Sequence, residues 1–193
     1  MLDERYKYDS YMIRKKVLKL IGASFHIYNP NGGLEFYVNQ KGFKLKEDIR
    51  VFTGEDMTQE ILSINARNIL DISATYDVYE TATGLKVGAL QRKGLKSILK
   101  DEWLMLDCYD NEVGIIKEDS TALAMIRRFL IDIIPQTFIG TFGHKKVFEF
   151  KQHFNLFVQK IDIDLSYDTE KILDRRLAIA AAVLLCAIEG RQN

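Results

Sequence analysis

From Leu177 to Ile188 twelve consecutive residues are apolar, with Asp174, Arg175 and Arg176 before them and Glu189 and Gly190 after. A helix built from this run has no polar face to offer water, so it must be enclosed by lipid or by protein. Twelve residues at ~1.5 Å each cover roughly 18 Å, short of the ~30 Å hydrocarbon layer and below the ~18 apolar residues that a spanning helix needs. Protein is therefore the expected enclosure, and the remainder of the chain has to build it.

That remainder reads mainly as strands. Runs rich in β-branched and aromatic residues are separated by turn residues from Tyr11 to Lys117. The first, Tyr11–Val17, fits either a strand or a helix start; Ala23–Tyr28, Leu34–Asn39, Phe43–Lys46 and Ile49–Thr53 follow. Glu60–Ile69 and Ile72–Glu80 come next, and in the latter Ile72, Ala74, Tyr76 and Val78 alternate with polar or tyrosine positions. This is the two-residue period of a half-buried strand. Lys86–Arg92, Trp103–Tyr109 and Glu112–Lys117 complete the series, with Asp110-Asn111 as a tight turn between the last two. The period then changes. Leu123, Ile126, Leu130 and Ile133 recur at helical spacing between Ser120 and Ile134, with Asp119 or Ser120 as cap and Pro135 as stop. Strand-like runs return at Thr137–Thr141, Lys145–Lys151 and Phe154–Gln159, and Ser166 or Asp168 can cap the terminal helix. About twelve short strands are too many for one open sheet. With a helix that needs enclosure on all sides, they predict a mainly β (α+β) fold: a closed antiparallel barrel around a central hydrophobic C-terminal helix, with one amphipathic surface helix.

With 193 residues, two prolines and no Ser- or Gly-rich linker, the chain reads as one domain over 1–193, its core over about 11–189. Lys plus Arg equals Asp plus Glu at 27 each, so no overall field selects a partner, and no nucleic-acid reading motif is present. Charge is nonetheless segregated. Arg14, Lys15, Lys16 and Lys19 cluster, as do Lys86, Arg92, Lys93, Lys96 and Lys100, while Val51–Gly84 is acidic with Arg67 its single base. Two cysteines, Cys108 and Cys186, one of them inside the apolar run, suit a reducing compartment. Asp3 and Glu4 near the start and Lys19 within Val17–Ile21 do not fit a signal peptide, and the expectation is a cytoplasmic protein.

Two passages echo each other, Lys86-Val87-Gly88-Ala89-Leu90-Gln91-Arg92-Lys93 and Glu112-Val113-Gly114-Ile115-Ile116-Lys117, each with a Val-Gly pair that permits a bend or a close backbone approach. Between them stands Gly94 to Trp103, and after them Lys117-Glu118-Asp119-Ser120 leads into the first helix. In this order, with the terminal apolar helix, they resemble the LURP-one-related family of the tubby-like group, which includes the phospholipid scramblases. The resemblance covers about Tyr11 to Glu189. It implies a twelve-stranded barrel around a central helix. For function it implies little beyond the phosphoinositide binding of tubby domains through basic side chains. The chain has neither the Pro-rich N-terminal segment nor the acylated cysteine cluster of the scramblases, so lipid transport is not carried over.

Chemistry is sparse. The acidic run Asp162–Asp168 fails as a calcium loop in both registers: Tyr167 or Thr169 falls where the turn glycine belongs, and Leu173 or Arg175 where the bidentate Glu belongs. It reads instead as a solvated strand end and helix cap. His26, His144 and His153 share no zinc spacing with each other or with the cysteines. No nucleophile elbow or glycine-rich phosphate loop is present. The best binding candidate is the basic segment Arg92, Lys93, Lys96 and Lys100, able to hold the phosphorylated head group of an anionic phospholipid or phosphoinositide. Trp103 beside it reads as core, or else as an indole at a lipid interface. The expectation is a non-enzymatic binding or regulatory module without cofactor or metal, peripheral to a membrane if lipid is its ligand. Two rival readings stand beside it: a scaffold using the amphipathic helix with Arg127 and Arg128 or a barrel end, and an enzyme with a pocket at a barrel mouth.

Overall fold

The computed structural model describes residues 3–16, 23–40, 48–67, 74–93, 102–119, 136–153 and 158–189. Twelve strands run in chain order: β1 (Ser10–Lys16), β2 (Ala23–Tyr28), β3 (Leu34–Gln40), β4 (Asp48–Phe52), β5 (Glu60–Ala66) and β6 (Thr75–Glu80). β7 (Lys86–Arg92), β8 (Glu102–Leu106), β9 (Glu112–Glu118), β10 (Thr137–Phe142), β11 (Lys145–His153) and β12 (Val158–Asp164) complete them. Each pairs antiparallel with its sequence neighbours, and β1 pairs with β12, so the sheet closes into a barrel with no free edge. A 3-10 turn at Glu4–Tyr6 precedes β1, and one α-helix, α1 (Arg175–Glu189), follows β12.

Alternation along the strands sorts residues between lumen and surface. Ile13, Phe25, Ile27, Phe36, Val38, Ile49, Val51, Leu62, Ile64 and Val78 point inward and are wholly buried. The helix lies among them. Leu177 to Ala187 are all at most 3 % exposed, through three turns and thus on every side of the helix, and α1 touches strands as far apart as β5, β7 and β12. The apolar run is the plug of the barrel. Each large aliphatic side chain buried this way contributes about 1.5–3 kcal/mol before entropy. Ala178, Ala180, Ala181, Ala182 and Ala187 keep the helix narrow enough for the lumen. Among the described residues no helix is long and apolar enough to cross a membrane.

The two Val-Gly pairs make close approaches. A Cβ on Gly88 would stand 2.5 Å from the Leu106 carbonyl oxygen and 3.2 Å from Leu177 Cδ2; one on Gly114 would press on the Thr141 carbonyl and lie 2.6 Å from Met105 Cε.

Several boundaries differ from the sequence reading. The helix is capped by Asp174, whose Oδ1 accepts the Arg176 N–H at 2.9 Å, rather than by Ser166 or Asp168. Asp168 instead accepts the N–H groups of Ile172 and Leu173 (2.9 and 3.1 Å), pinning the loop before the helix. β12 continues to Asp164 because Ile161 and Ile163 face the core while Asp162 and Asp164 face outward. β8 stops at Leu106, since Asp107 accepts the N–H groups of Tyr109 and Asn111 and folds a longer turn, which leaves Cys108 exposed off the strand. Phe43–Lys46, the amphipathic helix of Ser120–Ile134 with Arg127 and Arg128, Ile69–Ile72 and Phe154–Phe157 lie outside the described residues.

Candidate functional site

Antiparallel order gives the barrel two distinct ends. At one, β1 finishes, β7 finishes, β8 begins and α1 ends; at the other, β1 begins, β7 begins and α1 starts. Lys15 belongs to the first end. It faces inward with Ile13 and Tyr11, and its Nζ donates to the Cys186 carbonyl at 3.2 Å while lying 5.1 Å from the centre of the Phe25 ring. The last turn of α1 holds no basic residue of its own, so a strand lysine serves the negative end of the helix dipole. Burial pushes the Cys186 thiol up to about 12, with Lys15 pulling it partly back.

The predicted basic segment arrives at this same end but divides. Arg92 alternates with Leu90 and Gly88 on the inner face and lies across from Trp103, whereas Lys93 is exposed on the outside. Neighbours on a strand point to opposite faces, so these two do not form one surface fork. Lys93 Nζ donates to Glu102 at 2.6 Å, and Lys117 stands 3.7 Å from the same carboxyl, so two cations share one anion. The bond from Lys93 holds the Glu102 carboxyl below its ordinary range. Lys96 and Lys100 lie outside the described residues. Trp103 is 1 % exposed and inward-facing, so the indole belongs to the core and not to a lipid interface.

Charge is sorted between the ends. Among the described residues around the end of α1, Arg14 and Lys15 on β1, Arg92 and Lys93 at β7, Lys117 on β9 and Lys160 on β12 outnumber the acids near them, Asp48, Glu102, Glu118 and Asp119. Around its start the balance reverses, with Asp3, Glu4, Asp9, Glu35, Glu55 and Asp56 among the acids. The helix dipole runs the opposite way, its negative end toward the bases and its positive end toward the acids, so barrel and helix stabilise each other electrostatically. Reading clusters along the chain misses this, because the polarity emerges only once alternate connections are folded to opposite ends.

The other candidates are engaged locally. On the outer wall Arg67 bonds Asp77 and Asp110, and Lys86 bonds the same two carboxylates at 3.1 and 2.5 Å. Burial pushes the Asp77 carboxyl up, but Arg67 and Lys86 more than offset it and hold it below its ordinary range. In the acidic run Asp162 lies 2.6 Å from His153 Nε2, Asp164 accepts from Ser166, and Asp168 holds its own loop. His26 lies 2.6 Å from Glu55, and Gly143 (φ 57°) leaves His144 exposed on the β10–β11 turn.

No protein-family model matches the chain, and a search of curated proteins finds no match.

Proposed function

We propose that this chain is a non-enzymatic binding or regulatory module of the tubby-like, LURP-one-related kind, cytoplasmic and peripheral at the membrane. Its basic barrel end takes the anionic head groups of phospholipids or phosphoinositides. The observation that supports this reading is the uneven charge along the barrel axis: among the described residues bases are in excess at the end where α1 finishes and acids at the end where it starts, in a chain that is net neutral. Such a distribution orients the molecule in the field of an anionic surface without drawing it to every polyanion. Lys93 and Lys117, sharing one carboxylate on the outer rim, leave a positive charge there for a phosphate.

Co-sedimentation with vesicles tests the proposal. Phosphatidylcholine vesicles should leave the protein in the supernatant; adding phosphatidylserine or a phosphoinositide should bring it down, less so as salt is raised. At ~1 kcal/mol per basic residue near the surface, reversing Lys93, Lys96 and Lys100 together to Glu should weaken binding roughly a hundredfold or more. A triple variant that sediments like the wild type, or equal binding to neutral vesicles, defeats the reading.

A further inference from the structure

Among the described residues, the two large apolar side chains most open to solvent stand on neighbouring hairpins at the acidic end. Tyr109, on the β8–β9 turn, is 83 % exposed, and Leu85, on the β6–β7 turn, 66 %. β7 pairs with β8, and Lys86 Nζ, next to Leu85 in the chain, donates to Asp110 Oδ1, next to Tyr109, at 2.5 Å. The two tips therefore share one sector of the rim. Neither turn is loose. Asp107 accepts the backbone N–H groups of Tyr109 and Asn111 (2.8 and 2.9 Å) and the Asn111 side-chain amide (2.9 Å). Thr83 Oγ1 donates to Glu80 at 2.7 Å and accepts the Leu85 N–H at 3.3 Å. A single exposed leucine is ordinary on a protein surface. A tyrosine and a leucine held close together on fixed turns, where polar residues and glycine are usual, suit the anchors of an interface, because they lose little freedom on docking.

Charge decides what fits over them. Arg67 and Lys86 balance Asp77 and Asp110. Arg176 lies between Asp174 and Glu80 and leaves one negative charge. Asp107 bonds only uncharged N–H groups, and the exposed Glu112 makes no ion pair among the described residues. Asp107, Glu112 and the surplus carboxylate beside Arg176 thus put three negative charges in excess around two apolar tips. The occupant has to bring apolar contact together with positive charge. An anionic membrane is repelled there, and so is the same end of a second copy. The complementary surface is on this chain, at the opposite end of the barrel. Arg14 and Lys160, register partners on β1 and β12, make no ion pair among the described residues. Lys93 and Lys117 share one carboxylate, and bases remain in excess there after Asp48, Glu102, Glu118 and Asp119 are counted.

We infer that copies of this chain associate head to tail, with the Leu85 and Tyr109 tips of one seated on the basic end of the next. The two surfaces are unlike and lie at opposite ends of one axis, so the contact stacks copies along that axis and does not stop at a dimer. Hairpin tips cover less area than a permanent interface needs. Association is therefore weak and reversible, with a dissociation constant of roughly tens to hundreds of micromolar, and salt weakens it further. The tips belong to the acidic end, which lipid binding does not use, so the failure of this inference leaves that reading untouched.

Sedimentation equilibrium of the full chain, from about 10 µM to about 1 mM protein in about 50 and about 500 mM sodium chloride, tests the inference. In low salt the weight-average mass should climb with concentration past that of a dimer, and the higher salt should weaken association about tenfold. Two variants separate the faces. Leu85→Ser with Tyr109→Ser removes the tips; Arg14→Gln, Lys93→Gln, Lys117→Gln and Lys160→Gln together neutralise the other end. All these side chains face outward, so both variants should keep a melting temperature close to the wild type's. Each by itself should associate at least about tenfold more weakly than the wild type, since each has lost one of the two faces. Mixed in equal amounts, they should form a one-to-one pair and go no further. A wild-type chain that stays monomeric to the highest concentration in low salt would overturn the inference and leave the tips to a different basic partner. A plateau at the dimer mass, association indifferent to salt, or variants whose mixture stays monomeric would overturn it as well.

Discussion

Replacing Gly88 by Ala puts one methyl group where barrel and plug meet. An alanine in place of glycine in a regular strand normally gains about 0.5–1 kcal/mol, because the unfolded chain loses less freedom. Here the new Cβ would stand 2.5 Å from the Leu106 carbonyl oxygen and 3.2 and 3.4 Å from the two Leu177 methyls. A leucine methyl can turn aside at little cost; a carbonyl of the neighbouring strand cannot move without opening the β7–β8 ladder. Overpacking against backbone belongs at or above the top of the usual 1–3 kcal/mol range, so the net change should be a loss of about 2–3 kcal/mol. For a chain of this length that is a fall of roughly 4–12 °C in melting temperature. Urea denaturation followed by tryptophan fluorescence supplies the measurement, since Trp103 is the single tryptophan and lies in the core. The urea midpoint should fall with little change in slope. Gly114→Ala, blocked by the Thr141 carbonyl, should lose at least as much. If Gly88→Ala melted at or above the wild-type temperature, the close contact among β7, β8 and α1 would be wrong.

Other perturbations probe the ends and the middle of the plug. Leu184→Ala, at a side chain 1 % exposed, should cost about 2–5 kcal/mol in equilibrium unfolding, as core truncations do. Asp174→Ala removes the cap of α1 and should cost about 0.5–2 kcal/mol in the same assay, whereas Ser166→Ala, which merely meets Asp164, should be nearly silent. Acid should destabilise the protein in a definite window. Asp77, Glu80 and Glu102 have carboxyls held below their unfolded values, so their contribution is complete above the ordinary carboxylate range and is lost as pH falls through their lower folded values. Urea midpoints measured from pH 7 to pH 3 should therefore drop on the acid side, and Arg67→Gln should make that drop shallower.

The amino-acid sequence reveals the architecture because its strongest feature is a matter of solubility: a helix with no polar side demands a lumen, and short alternating strands can provide one. The glycine approaches are readable for a related reason, since Val87-Gly88 and Val113-Gly114 each set a glycine inside a strand-like run, where a missing side chain signals a bend or a close backbone approach. The cap was not, because Ser166, Asp168 and Asp174 are all capping residues and only packing decides which carbonyl begins the helix. The extension of β12 was masked by composition. Asp162 and Asp164 look like an acidic loop until Ile161, Ile163 and Leu165 are seen to alternate with them toward the core. Arg92 and Lys93 read as one patch in the sequence because they are adjacent, yet adjacency on a strand separates side chains. Tyr6 gave no signal at all: it lies before the first strand, and its burial depends on Phe36, whose ring is 5.1 Å away, and on the start of a helix 169 residues later.

The two cysteines offer the most direct test of the plug. Cys108 is exposed on the β8–β9 turn, and Cys186 is wholly buried near the end of α1 with its thiol pushed up to about 12. In native buffer a thiol reagent should modify Cys108 at once. Cys186 should react only at the rate and over the urea range in which the whole molecule unfolds. Rapid native-state labelling of Cys186, or labelling in urea well before the tryptophan signal changes, would mean that the helix leaves the barrel on its own and is not the core around which the strands close.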